Sequence, residues 1–146
     1  MAYPPLIKLE SEADYKTHFE ESYCKTPIIT FDAIAVRFRK QNFSHCFFES
    51  VATKDDTFSA KRAERVDWIK AALQDTNSER YAGWDSKKKR YDATRRVTLV
   101  MGDYVVVIAM TSLQTADFVT AFIADTPATS RRPMTTVDKI RRGPRI

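Results

Sequence analysis

The spacing of apolar residues divides this chain into helices first and strands after. Tyr15, Phe19 and Tyr23 recur at i, i+4 and i+8, and Ser11 with Asp14 three residues on forms an N-terminal capping pattern, so residues 12 to 23 are predicted to form a short amphipathic helix. Pro4-Pro5 makes the preceding residues an extended arm, and Pro27 ends the helix. From Ile28 to Arg39 the period changes to two, with Ile34, Val36 and Phe38 set against Ala35, Arg37 and Arg39, which predicts a strand. Residues Phe43 to Glu49 fit a strand or a short helix equally well. A second helix is predicted over Ala60 to Leu73. Ser59 is its N-cap, Phe58 can staple onto Ala63, and Ala63, Val66, Ile69 and Leu73 trace the apolar stripe.

Asp75-Thr76-Asn77-Ser78 breaks that pattern, and a short strand follows around Arg80 to Asp85, weakened by Gly83. Arg95 to Met101 and Tyr104 to Met110 flank Gly102-Asp103, a two-residue turn with glycine first, as a type II′ hairpin prefers. That hairpin opposes Met101 with Tyr104, Leu99 with Val106, Val97 with Ile108 and Arg96 with Ala109. It puts Arg96 and Thr98 on one face and Val97, Leu99 and Met101 on the other. A last strand, Ala116 to Ala124, sets Phe118, Thr120 and Phe122 against Val119, Ala121 and Ile123. The expected fold is therefore α+β, with N-terminal helices packed on a roughly four-stranded antiparallel meander whose other face is free for a ligand. Residues 1–27 form the arm and short helix and 28–126 the core, and 127–146 lack periodicity and are expected to be a mobile basic tail.

Composition narrows the classes. At 146 residues, with 43% apolar and 12% aromatic side chains, the chain is sized for one domain with a proper core. No apolar run approaches the roughly 18 to 20 residues of a membrane span, and a cytosolic, soluble protein is expected. Cys24 and Cys46 are too few for a disulfide framework, and a zinc site would need them to converge with His18 and His45, the only histidines. No metal and no cofactor is expected. Gly83, Gly102 and Gly143 are the only glycines and lie far apart in sequence, which excludes a phosphate-binding loop or a dinucleotide-binding turn. Glu79 upstream of Asp85-Ser86-Lys87 is an acid followed by acid-x-Lys, a pattern that chance supplies readily in a chain with 29% charged residues.

Charge changes the picture most. Residues 87–96 carry six Lys and Arg against one Asp and residues 131–146 again six against one, whereas 97–130 carry none against three acids. Segregation of this kind makes a local field that the net charge of +5 understates. The first block, Lys87-Lys88-Lys89-Arg90-Tyr91-Asp92-Ala93-Thr94-Arg95-Arg96, runs into the strand from Val97, where cations can meet a phosphate at a fixed angle. A polyanion, RNA first and DNA second, is the expected partner. The plainer reading is a solvated lysine run with a tail that aids solubility.

Metal-free RNA cleavage asks little of a protein, because the 2′-hydroxyl is a built-in nucleophile. It needs an acid or base, cations for the charge developing on phosphorus, and a side chain to orient the phosphate. His45 suits the first role, since an imidazole titrates near neutrality. Arg96 can clamp a phosphate with its planar fork, Arg95, Arg90 and Lys88 can guide the backbone, and Thr120 can orient an oxygen. Ordinary readings stand beside these. His45 sits among phenylalanines as a hydrogen-bonded core histidine would, Thr120 is a good strand former, Phe118 and Phe122 suit a core, His18 reads as solvated, and Trp68 and Trp84 read as packing residues.

The order of several short motifs carries a resemblance. Phe43-Ser44-His45, then Phe58-Ser59-x-x-Arg62-Ala63-x-Arg65-Val66-x-Trp68-Ile69, Arg96-Val97, Tyr104-Val105-Val106-Val107 and Phe118-Val119-Thr120-Ala121-Phe122 resemble the phage-encoded nuclease domains of the barnase, EndoU, colicin and RelE-like superfamily. The resemblance spans roughly residues 28 to 124. It implies two helices against a four-stranded antiparallel sheet and metal-independent endoribonuclease activity, a toxin or phage setting, and an antitoxin or immunity protein as a candidate partner. It points to His45, Arg96 (Arg95 second) and Thr120 as catalytic residues. Arg62 matches the helix pattern and becomes an ion-pair partner or phosphate contact, and the charge pattern adds Lys87, Lys88, Lys89, Arg90, Tyr91 and Arg95 as expected nucleic-acid-binding residues. Such enzymes often carry a second histidine or a glutamate, and the strands here hold no histidine after His45, which leaves Tyr91 as the candidate partner acid or base. Two rival functions use the same residues: a non-catalytic nucleic-acid-binding accessory protein, and a virion-associated module whose basic tail docks an acidic partner.

Overall fold

In the computed structural model, which describes residues 3–85, 87–92, 96–124 and 136–146, helix α1 (Glu12–Tyr23) forms where the spacing predicts it. The Ser11 hydroxyl accepts from the Asp14 amide at 3.2 Å, and Tyr15, Phe19 and Tyr23 are buried. The arm before it is pinned. Tyr3 stacks on Trp68 at 4.2 Å between centroids, the Trp68 indole donates to the Pro4 carbonyl at 2.8 Å, and the Ile7 amide donates to the Glu64 carbonyl at 2.8 Å.

The predicted strand from residue 28 to 39 is two strands, β1 (Ile28–Ile29) and β2 (Ala35–Arg37), paired antiparallel. A turn built on Thr30 separates them: its hydroxyl donates to Asp32 at 2.5 Å and accepts from the Ile34 amide at 3.0 Å, while Ala33 takes a φ of 67°. Short hydroxyl and carboxylate side chains compete with a strand ladder in this way. The ambiguous stretch that follows is helix α2 (Asn42–Phe47) running into strand β3 (Phe48–Glu49), which pairs with β4 (Thr57–Phe58).

The predicted single helix over 60 to 73 is broken into α3 (Ala60–Ala63) and α4 (Val66–Gln74). Ser59 caps the first, as its spacing predicts. The break has a visible cause. In a continuous helix the Glu64 carbonyl would accept from the Trp68 amide, but the arm's Ile7 amide takes it, and Trp68 donates instead to Arg65, three residues back, at 2.9 Å.

The remaining strands are β5 (Glu79–Ala82), the small hairpin β6 (Trp84–Asp85) and β7 (Arg90–Tyr91), then β8 (Arg96–Met101), β9 (Tyr104–Met110) and β10 (Thr115–Ile123). The fold is α+β. Its main sheet is mixed and six-stranded, in the order β1-β2-β10-β9-β8-β5, with β2 parallel to β10 and the other neighbours antiparallel. The β8–β9 register is the one read from the turn, from Met101 opposite Tyr104 to Arg96 opposite Ala109. Gly102 has a φ of 63° and Asp103 lies outside the left-handed region, as a type II′ turn requires.

The sheet separates two cores. Val97, Leu99, Tyr104, Val106, Ile108 and Phe118 face α1, α2 and α4 in the larger one. Tyr81, Val100, Val105 and Phe122 gather on the other face beneath Val137 and Ile140 of a last helix, α5 (Thr136–Arg141). The expected mobile tail is helical over Thr136–Arg141, and its residues 127–135 lie outside the described part. Burial of Val137 and the pair of bonds from Arg141 to Glu79, 2.7 and 3.3 Å, hold it. Beyond it, backbone bonds from Ala82 to Pro144 and from Ile146 to Arg80, both 2.8 Å, lay the C-terminus along β5. No helix among the described residues is long and apolar enough to cross a membrane.

Candidate nucleic-acid interface

Strand β10 carries one residue too many. Phe118 opposes Ile108 but Thr120 opposes Val107, so Val119 is a bulge residue. The bulge corrects the strand-face reading: Phe118 enters the larger core and Phe122 the smaller, and the two rings do not flank Thr120 on a common face. It also brings the Phe118 and Ala121 carbonyls within reach of α2. Asn42 Nδ2 donates to the first and the Cys46 thiol to the second, each at 3.5 Å, from side chains one helical turn apart. Thr120 lies against the Cys46 thiol, which burial pushes up to about 12.

His45 projects outward from the same helix turn. Its side chain is 47% exposed, which decides against a core role, and its Nδ1 stands 3.2 Å from the Asp55 carboxylate. The loop supplying Asp55 is built for the purpose of holding a shape. Asp56 accepts from the Val51, Ala52 and Thr53 amides at 2.8 to 2.9 Å and from the Thr57 hydroxyl, and those backbone donors hold its carboxyl far below the usual range. Asp55 itself takes a φ of 50°, and its amide donates to Ser50. Arg62, on α3, donates to the Phe48 carbonyl at 2.8 Å and lies 3.8 Å from Glu49, so it is an ion-pair partner and a brace for β3.

Arg96 begins β8 on the face away from the larger core, beside Thr98. Cross-strand pairing puts Arg96, Ala109, Asp117 and Arg37 in one row across four strands. At about 4.8 Å between strands, Arg37 and Arg96 lie roughly 14 Å apart with Asp117 between them. Arg37 and Arg39 both hold Asp117, at 3.2 and 3.4 Å. Asp117 and these two arginines are not legible as a group in the sequence, because Arg37 and Arg39 read as the polar half of a strand's alternation and the parallel β2–β10 pairing joins segments eighty residues apart.

Among the described residues, no hydrogen bond joins any two of His45, Arg96 and Thr120. Thr120 adjoins the turn that carries His45, and Arg96 shares only the sheet with it. Lys87, Lys88 and Lys89 form the exposed tip of the β6–β7 hairpin, with Lys89 at a φ of 51°, and Arg90 and Tyr91 form its second strand. Asp92 sits 3.9 Å from both Lys88 and Arg90 and offsets part of their charge. Arg95 lies outside the described residues. His18, read as solvated, is half-buried and pairs with Asp67 at 2.8 Å. Glu79 is engaged by Arg141 and Tyr81, so the acid-x-Lys pattern begins at an occupied acid.

Comparison with protein-family models, with curated proteins and with solved structures finds no match for this chain.

Proposed function

We propose that this protein is a metal-independent endoribonuclease that uses the RNA 2′-hydroxyl as nucleophile and leaves a 2′,3′-cyclic phosphate. One observation carries the reading: an exposed histidine whose Nδ1 is fixed by a carboxylate in a tied-down loop, leaving Nε2 directed away from that partner. That is the arrangement by which a carboxylate sets the tautomer and orientation of an acid–base imidazole. In this reading His45 moves the proton, Asp55 orients it, Arg96 clamps the phosphate and Thr120 contributes from the adjoining strand, while the hairpin cations guide the RNA. The superfamily named above, with helices on a meander of β5, β8, β9 and β10, accounts for the order of these pieces and carries the phage or toxin setting with it.

The test is incubation of the purified chain with end-labelled RNA in EDTA. Fragments ending in 2′,3′-cyclic phosphate are expected. A second reading, a nucleic-acid-binding protein without turnover, is favoured by the Thr120 hydroxyl being turned to Cys46 and by the separation of Arg96 from His45. Intact RNA with salt-sensitive binding would select it.

A further inference from the structure

The segment from Ala60 to Leu73 holds no glycine or proline and reads as one helix, yet the chain folds it as two. Glu64 keeps helical angles, and the departure is centred on Arg65, at φ −99° and ψ 17°. Two carbonyls of the helical ladder are taken by outside donors. The Ile7 amide of the arm bonds Glu64 O at 2.8 Å and the Arg65 guanidinium bonds Lys61 O, so the Arg65 and Trp68 amides turn to Arg62 O and Arg65 O, three residues back. Among the described residues, Arg65 Nε is the one buried side-chain nitrogen or oxygen with no hydrogen-bond partner. A tertiary contact thus overrides a local preference, and such conflicts collect at functional sites.

The contact that does this is slight. Tyr3, Pro5, Leu6, Lys8 and Leu9 are exposed, and only Pro4 and Ile7 are half-buried. Besides the Tyr3–Trp68 stack and the indole bond to Pro4, the arm has the Lys8–Glu64 pair and the Tyr15 hydroxyl, which donates to Ile7 O at 2.9 Å and accepts from the Leu9 amide at 3.0 Å. Few buried contacts make a segment open at lower free energy than the core. On its other side α3 is tied to the segment that carries His45. Ser59 N donates to Phe47 O and Arg62 Nη1 to Phe48 O, both at 2.8 Å. Phe47 and Phe48 end α2 and begin β3, which leads into the loop of Asp55 and Asp56.

We propose that the arm is a strap that sets the candidate site. Docked, Ile7 keeps α3 and α4 apart and Arg62 on Phe48. Released, Glu64 O accepts from the Trp68 amide, the two helices join, and α3 draws Arg62 and Ser59 away from the turn that presents His45 and Asp55. The two states exchange one donor for another at a single carbonyl, which makes the element two-state and not continuously deformable. A ligand that captures Tyr3-Pro4-Pro5, or takes their place on Trp68, acts on the site from outside it. The consequence for cleavage rests on the ribonuclease reading; the exchange at Glu64 does not.

Nuclear magnetic resonance and amide exchange on the full chain test this. Ile7→Pro removes the amide and leaves an extended arm, whereas Ile7→Ala keeps the amide and removes the side chain. In Ile7→Pro the Cα chemical shift of Arg65 is expected to move to helical values. The Val51, Ala52 and Thr53 amides, which bond Asp56, should then exchange about 2- to 30-fold faster. Ile7→Ala should stay close to the unaltered chain in both, and Arg62→Gln should speed the loop amides while Arg65 stays non-helical. An Arg65 shift unchanged in Ile7→Pro, one changed equally in Ile7→Ala, or joined helices with unchanged loop exchange would overturn the strap. The unaltered chain gives a check that needs no variant: the Ile7 amide is expected to exchange through an opening that leaves the amide of the fully buried Val106 protected, and exchange of both only on global unfolding would contradict the proposal. RNA cleavage is scored separately and should slow in Ile7→Pro. Intact RNA with every protein would sink the ribonuclease reading and leave the exchange at Glu64 standing.

Discussion

Asn42 and Cys46 stand one helical turn apart on α2, and each donates to a carbonyl of β10, Phe118 and Ala121, at the same 3.5 Å. In a regular strand these two carbonyls, three residues apart, would point to opposite edges. The bulge at Val119 turns them to the same edge, where β2 has already ended, and α2 covers the backbone groups that would otherwise be an open strand edge. The packing of α2 is thereby specified by β10, and with it the outward direction of His45.

The Cys46 thiol is fully buried and its pKa raised to about 12 by burial, whereas Cys24 is only half-buried, with a smaller upward shift from the same cause. In the native state Cys24 is expected to react slowly with a thiol reagent and Cys46 to react only on unfolding. Counting modified thiols before and after denaturant checks this; prompt modification of both would contradict the packing of α2.

Phe19 touches Tyr23, Phe38, Phe43 and Phe47 at ring centroid distances of 5.6 to 6.1 Å and is fully buried. Phe19→Ala should cost about 3 to 5 kcal/mol of unfolding free energy. Urea denaturation followed by fluorescence gives the value, and a loss below about 1 kcal/mol would mean that this aromatic cluster is not the centre of the core.

Much of this core was legible in the sequence. Tyr15, Phe19 and Tyr23, Ser11 and Ser59 as caps, and the whole β8–β9 register follow from local periodicity and one glycine, and the structure repeats them. One departure is local, the Thr30 turn that splits residues 28 to 39, and the others involve partners remote in sequence. Ile7 breaks the helix at Glu64, β2 joins β10 in parallel, and α5 finds an apolar face on the far side of the sheet. The bulge at Val119 has no local signal, since a strand of alternating residues reads the same with or without an extra one. The sequence left His45 between an acid–base role and a core one, because three neighbouring phenylalanines suggest burial; helical rather than extended geometry turns Phe43, Cys46 and Phe47 inward and leaves His45 out.

The Asp56 carboxylate is the organiser of the loop that presents Asp55. Its folded pKa lies below its ordinary value of 3.8, so its contribution is complete above that value and is lost as pH falls through the lower folded one. Asp56→Ala should therefore reduce stability at neutral pH and flatten the acid limb of a plot of thermal midpoint against pH. Identical acid limbs for the two proteins would show that the loop does not depend on this carboxylate.

Gly102 takes a φ of 63°, and a side chain there would run into the Tyr3 hydroxyl, which hydrogen-bonds Asp103 at 2.9 Å. Gly102→Ala is expected to cost about 1 to 2 kcal/mol from the backbone alone. Displacement of Tyr3 from Trp68 should also change the tryptophan fluorescence, and an unaltered spectrum would mean that the arm does not rest on the turn.

The role of His45 is tested most directly by single-turnover cleavage of a labelled RNA in EDTA, comparing the unaltered chain with His45→Ala and Asp55→Asn. Loss of a general acid or base should slow cleavage about 100- to 10,000-fold in His45→Ala, with a smaller loss in Asp55→Asn and RNA binding retained in both. Cleavage by His45→Ala at the rate of the unaltered chain, or intact RNA with every protein, would contradict the proposed catalytic role.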